Sequence, residues 1–270
     1  MRLSEYVDRL DEELDTAAYA DVDASANGLQ VGPGGEAASP GTGPAAGPEV
    51  ERVAFAVDAA TATIEAAADA GADVLVVHHG LSWGGIERVT GRVHDRIAAL
   101  IEHEIALYVS HLPLDGHREL GNAAGVATEI GLEDRDPFGE IGPVTIGTIG
   151  ETAAPRSADA LRETLDGFEG QPDGEPSPTR VLDFGPDEVE RVAVVTGSGV
   201  DWLDEAVAAG ADALITGEGK QQVYHDAREA GLTVFLAGHY ATETFGVRAL
   251  ESLTADWGVE TTYLSHPTGL

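Results

Sequence analysis

Short aliphatic runs alternate along this chain with longer stretches in which apolar residues recur every three or four positions. Leu3, Tyr6, Val7, Leu10 and Leu14 form the first such helical stripe. Val53–Val57 then reads as a buried strand, Ala59–Ala70 as a helix, Val74–Val77 as a strand, Val93–Glu102 as a helix and Ile105–Val109 as a strand. Helices are predicted over Gly121–Ile130 and Ser157–Leu165, and strands over Val144–Thr148 and Val181–Phe184. The rhythm returns through Val192–Val195, Ala206–Ala209, Ala213–Thr216, His225–Ala230 and Val234–Ala237. It closes on a helix over Ala241–Ala255 and a strand over Thr261–Leu264. Alternation of this kind predicts an α/β fold with parallel strands. Asn27-Gly28, the Gly/Pro/Ala-rich stretch 33–48 and the polar stretch 166–178 read as turns and loops.

One segment echoes another. Ala70-Gly71-Ala72-Asp73-Val74-Leu75-Val76-Val77-His78-His79-Gly80 is similar to Ala209-Gly210-Ala211-Asp212-Ala213-Leu214-Ile215-Thr216-Gly217-Glu218-Gly219. Two related halves would produce this, and so would the shared grammar of helix-turn-strand units.

Three predicted strands end in chemistry-bearing residues. The first delivers His78-His79-Gly80, the second His111-Leu112-Pro113-Leu114-Asp115, the third Gly238-His239-Tyr240-Ala241-Thr242-Glu243. Ligands of α/β proteins bind at the carboxyl ends of strands. Imidazole is the commonest neutral metal ligand. Asp115 follows a proline and projects from a stiff turn, and His239 and Glu243 are spaced to share the face of a helix start. The candidate metal ligands are His78, His79, Asp115, His239 and Glu243. One ion with all five would leave little room for water. Two ions with three ligands each need a bridging carboxylate, and that arrangement keeps an open water position. Nitrogen and oxygen donors without Cys suit Zn, Mn, Fe, Co or Ni and do not choose among them. His111 reads either as a group orienting a ligand or water or as a structural histidine. His94, His103, His117, His225 and His266 read as surface or packing residues. Gly197-Ser198-Gly199 reads as a tight turn, or as a loop touching a triphosphate; it lacks the remaining features of a nucleotide fingerprint.

Composition narrows the class. The chain has 270 residues, 43% of them hydrophobic, enough for a sizeable core. No apolar run reaches the roughly 20 residues of a membrane span, and the first residues lack a signal-peptide core. The absence of Cys agrees with a cytoplasmic location. Net charge is −33, from 48 acidic and 15 basic residues, with Lys220 the only lysine. This composition resembles that of halophile proteins, whose self-repulsion is screened in molar salt. No basic patch offers a footprint for nucleic acid.

The ordered set of Ser25-Ala26-Asn27-Gly28-Leu29-Gln30-Val31-Gly32, His78-His79-Gly80, His111-Leu112-Pro113-Leu114-Asp115, Gly121-Asn122, Val192-Ala193-Val194-Val195-Thr196-Gly197-Ser198-Gly199, Leu214-Ile215-Thr216-Gly217-Glu218 and Gly238-His239-Tyr240-Ala241-Thr242-Glu243 resembles the NIF-three-like family. Its members are often named GTP cyclohydrolase 1 type 2 homologues. The resemblance covers nearly the whole chain. It implies two α/β domains, the first (1–125 plus 239–270) built from both chain ends, the second spanning 126–238. It implies that His78, His79, Asp115, His239 and Glu243 hold two divalent metal ions, and that six copies form a ring. It also implies a hydrolase on a small-molecule substrate of the nucleotide kind: water adds to C8 of the guanine of GTP, the ring opens and formate leaves. A non-catalytic metal-binding or regulatory assembly and a metal-dependent phosphoesterase are the alternatives. The stretch 33–48 departs from the family pattern as an insertion, and the large extra domain of longer members is missing.

Overall fold

The computed structural model describes residues 1–33, 47–170 and 178–270. Most of the 33–48 and 166–178 loop readings therefore lies outside the described residues. The strands are β1 (Gly28–Val31), β2 (Arg52–Asp58), β3 (Val74–His79), β4 (Ala106–Val109), β5 (Leu132–Ile141), β6 (Val144–Arg156), β7 (Arg180–Leu182), β8 (Val189–Val194), β9 (Ala213–Thr216), β10 (Thr233–Leu236) and β11 (Glu260–Tyr263). The chain divides into two compact units, Met1–Leu114 with Val247–His266, and Asp115–Gly246 with Pro267–Leu270. Residues 115–125, 239–246 and 267–270, grouped with the first domain in the sequence reading, pack with the second unit.

The first unit is built on a five-stranded sheet in the order β1-β4-β3-β2-β11. β11, β2, β3 and β4 run parallel and β1 lies antiparallel on β4. Strands covered on both faces need apolar side chains on both, and β3 is accordingly an unbroken Val-Leu-Val-Val run. On one face Ala54, Ala56, Leu75, Val77, Leu107 and Val109 pack with Ile64 and Leu100 from the crossover helices Thr61–Asp69 and Arg92–Glu102. The helix Leu3–Glu13 buries Leu3, Tyr6 and Leu10. The fully buried Tyr6 hydroxyl is satisfied by Thr254 Oγ1 at 3.0 Å.

The second unit carries a six-stranded sheet, β5-β6-β8-β9-β10-β7. β8, β9 and β10 are parallel, whereas β5, β6 and β7 add to its edges antiparallel. The core gathers Val192, Val194, Ala213, Ile215 and Phe235 from the sheet with Val126, Ala127, Leu161 and Leu165 from helices. β5 escaped the sequence reading. It is acidic, mostly exposed and interrupted by Pro137, features tolerated only at a sheet edge, where it pairs with β6 alone. β1 escaped as well, because the Asn27-Gly28 turn signal hides a four-residue edge strand. The helix expected over Ala241–Ala255 is two helices, His239–Thr242 and Thr244–Asp256, interrupted at Glu243.

Candidate metal centre

In the first unit, parallel pairing sets the ends of β2, β3 and β4 side by side. Asp58 stands opposite His79 in the β2–β3 register. The His78 ring is buried, and its Nδ1–H donates to the Ser110 carbonyl at 2.9 Å. His79 Nδ1–H donates to Asp58 Oδ1 at 2.9 Å, and His111 Nδ1–H to Asp23 Oδ1 at 2.9 Å. A carbonyl or carboxylate can only accept, so each contact places a proton on Nδ1 and leaves Nε2 as the nitrogen that can face a ligand. Ring centroids lie 4.6 Å apart for His78–His79, 5.1 Å for His78–His111 and 5.9 Å for His79–His111. Ligand atoms of the three histidines fall within 4.8 Å of one another, close enough to hold a metal ion. His111 thus belongs to the cluster itself. Its backing carboxylate, Asp23, also accepts from the Ser25 and Leu112 amides and from Asn27 Nδ2. Burial would raise the Asp23 pKa, but the His111 contact outweighs it and holds the group below its ordinary value.

The second unit holds Asp115, His239 and Glu243. Asp115 sits in a five-residue helical turn, Leu112–Gly116, rather than in the loop expected after Pro113. It is buried, and its Oδ1 accepts from Asn122 Nδ2 at 2.8 Å and Thr196 Oγ1 at 3.2 Å. A cavity of about 220 Å³ opens beside it, lined also by His117, Arg118 and Arg135. His239 begins the helical turn after β10, and Glu243 caps that turn instead of lying inside a longer helix. His239 Nε2 lies 3.1 Å from Glu243 Oε1, and Nδ1 lies 3.3 Å from Glu218 Oε1. Glu218 in turn accepts from the Ser198 hydroxyl, the leading cause of its lowered pKa. Burial works to lower the His239 pKa, yet Glu243 and then Glu218 overcome it and raise the value to about 9. A cation held at Nε2 would replace that proton and release it.

Gly197 makes this arrangement possible. It turns with φ +59°, and a Cβ there would lie 2.3 Å from Glu243 Oε1 and 3.2 Å from His239 Nε2. The tight-turn reading of Gly197-Ser198-Gly199 therefore has a reason: the backbone cradles two donors.

Asp58, Asp23 and Glu218 were not among the expected site residues. Asp58 and Glu218 each end or follow an apolar run, the rule that singled out the histidines, and could have been found by it. Asp23 lies in an irregular segment with no such signal.

Two units with mixed sheets centred on parallel strands, imidazoles at the strand ends of one and carboxylates with a histidine in the other, define a two-unit α/β protein with groups that could hold metal. Family comparison makes this specific. The chain belongs to the Duf34/NIF3 (NGG1p interacting factor 3) family, whose model matches residues 1–268. It is 57% identical over 270 residues to a protein of Halobacterium salinarum named GTP cyclohydrolase 1 type 2 homolog, with all of both chains covered. A protein of the same name from Archaeoglobus fulgidus is 42% identical, again over the full length of both. Among solved structures, TTHA1606 from Thermus thermophilus is similar with a TM-score of 0.85 and 36% identity, covering 100% of each chain. The protein ybgI, of unknown function, is similar at 0.84 and 34%, also over 100% of each chain.

Proposed function

We propose that the protein is a metal-dependent hydrolase of the GTP cyclohydrolase type. Its two divalent ions (Zn, Mn, Fe, Co or Ni) are held by His78, His79, Asp115, His239 and Glu243. The observation that carries this reading is the pinning of the ring Nδ1 atoms by Ser110, Asp58 and Asp23, which commits Nε2 of His78, His79 and His111 to a ligand or a proton. The carboxylates Asp115 and Glu243 add the negative charge a divalent ion needs, and Gly197 gives Glu243 its space. Bound metal of this kind lowers the pKa of water and polarises the group under attack.

The chain's own groups do the rest. His111, backed by buried Asp23, is the proton-transfer group, since the carboxylate holds its Nδ1 and leaves Nε2 as the nitrogen that can take or give a proton in the same cluster. Asp58 and Glu218 orient His79 and His239. The cavity beside Asp115, with Arg118 and Arg135 on its wall, gives room for an anionic small molecule. The names of the relatives favour GTP, opened hydrolytically at the imidazole ring with loss of formate. The assembly is a homohexamer working in the cytoplasm, and its charge of −33 suits a high-salt interior. No helix among the described residues is long and apolar enough to cross a membrane.

The test is metal analysis and formate release in molar salt. Wild type should bind two equivalents and release formate from GTP. Glu243→Gln should lose metal and activity together, while His111→Ala should keep metal and lose turnover at least about a hundredfold. Bound metal without turnover on any nucleotide would favour the non-catalytic metal-binding assembly, and phosphate release instead of formate a phosphoesterase.

A further inference from the structure

Trp83 is 47% exposed, while its indole is in contact with the histidine cluster of its own unit. Its ring centroid lies 4.8 Å from that of His111, nearly perpendicular at 81°, and 6.0 Å from that of His79. Large aromatics left half in water beside polar chemistry call for an explanation, because burying them is what folding ordinarily achieves. The exposure is not a consequence of a loose loop. Ser25 and Trp83 form an antiparallel bridge, the Ala26 amide donates to Ser82 O at 3.2 Å, and the Gly84 amide donates to Ala24 O at 2.6 Å. The backbone on both sides of the indole is thus tied to residues 24–26. Gly84 and Gly85 then turn the chain away with φ +69° and +101°, and a Cβ on either would meet nothing within 4 Å. An indole carried on a backbone tied at both sides, half exposed and in contact with two imidazoles, makes a platform for a flat ring.

The geometry points to Trp83 as the stacking platform for the heteroaromatic base of a purine nucleotide, holding that base beside His79 and His111. The inference rests on the hydrolase reading for the identity of the ligand, but it concerns binding and is measurable without turnover. Stacking is tolerant of base identity, because every base presents a π-face; recognition of guanine in particular would fall to other groups. Ile86 (42% exposed) and Val89 (48% exposed) follow Trp83 in the same segment between β3 and the next helix.

The experiment uses the full-length, metal-loaded chain in molar KCl, with GTP and inorganic triphosphate as probes. Calorimetry gives affinity, and the part of the indole fluorescence change that is lost in Trp83→Ala, with Trp202 and Trp257 still present, reports on Trp83. GTP should quench the wild-type fluorescence and triphosphate should not. Trp83→Ala should weaken GTP binding at least about fivefold, as loss of one base–aromatic stack does, and leave triphosphate affinity unchanged. Trp83→Phe should retain most of the affinity, which rules out misfolding as the cause, and both variants should keep wild-type metal content. Equal GTP affinity in wild type and Trp83→Ala would overturn the inference. So would triphosphate binding as tightly as GTP, or a Trp83→Ala effect confined to the oligomeric state. The two readings fail separately. GTP stacking without formate release leaves the platform standing and removes the cyclohydrolase. Undiminished formate release by Trp83→Ala at low GTP does the reverse.

Discussion

The two units answer one structural problem with opposite solutions. In each, three parallel strands are assembled around an Ala-Gly-Ala-Asp turn, and the hydrogen bonds correspond one for one. Asp73 Oδ2 accepts from the Glu51 and Arg52 amides at 2.8 and 2.9 Å; Asp212 Oδ2 accepts from those of Glu190 and Arg191 at 2.9 and 2.9 Å. Ala72 N–H donates to Ala67 O as Ala211 N–H does to Ala206 O, and Ser110 N–H to Val77 O as Ala237 N–H does to Thr216 O. The strand ends then diverge. Where the first unit has Asp58 and His78, the second has Gly197 and Gly217. Two residues past the third strand, Gly238 N–H continues the ladder onto Gly217 O, whereas His111 N–H is taken by the Asn27 side chain. The first unit therefore peels open and fills the gap with imidazoles. The second zips further and brings in a helical turn carrying His239 and Glu243, for which the strand ends must be glycine. A shared frame can build a donor set from the strands themselves or from the segment that follows them.

The sharpest way to break this comparison is at Gly217. A Cβ there would lie 2.7 Å from the His239 Cα, 2.8 Å from Gly197 O and 2.9 Å from Thr242 Oγ1. The first two are backbone atoms and cannot swing aside. Gly217→Ala should cost roughly 3 kcal/mol in denaturant unfolding, the upper part of the usual overpacking range, and displace His239. A variant as stable as wild type would mean that the close approach of the helical turn is not what keeps the position small.

The comparison also shows what a sequence makes legible. The parallel strands were readable because burial on both faces writes an unbroken aliphatic run, as in Val74–Val77. The position of metal-type donors was readable because strand ends in such folds face a common edge. β5 was not readable: a solvated edge strand has no need of apolar residues, so Leu132–Ile141 looks like a loop. Nor was the Asp58–His79 contact, although Asp58 ends an apolar run as His78 does. Pairing register fixes it, and register lies in the sheet, not in either segment alone. The echo between the two turns was visible, while its meaning depended on hydrogen bonds that only the folded chain displays.

A second, smaller test asks whether the shared frame is energetically shared. Asp73 and Asp212 each accept two amides at the mouth of a strand, and both are partly exposed. Asp73→Ala and Asp212→Ala should each lower stability by about 1–3 kcal/mol, the range for hydrogen bonds to a charged acceptor with water able to substitute in part. The two costs should agree within about 0.5 kcal/mol. A cost confined to one unit would show that the matching geometry hides different stabilities.

The smallest expected effect is the most discriminating, because it isolates the backbone. Gly71 and Gly210 both take the left-handed conformation, φ +66° and +73°, at the turn between helix and strand. A Cβ at Gly210 would meet nothing within 4 Å, while one at Gly71 would lie 3.3 Å from Arg52 Nη1. That arginine also donates from Nη1 to Ala70 O. Gly210→Ala should therefore cost only the conformational strain of an L residue in this region, about 1–2 kcal/mol. Gly71→Ala adds a contact with the end of a long side chain that can give by a few tenths of an ångström, so it should cost the same or a few tenths more. Thermal melts of the two variants in molar salt make the measurement. If Gly71→Ala proves much the worse, the arginine is a fixed strut of the first unit rather than a yielding neighbour. The equivalence of the two turns would then end at their backbones.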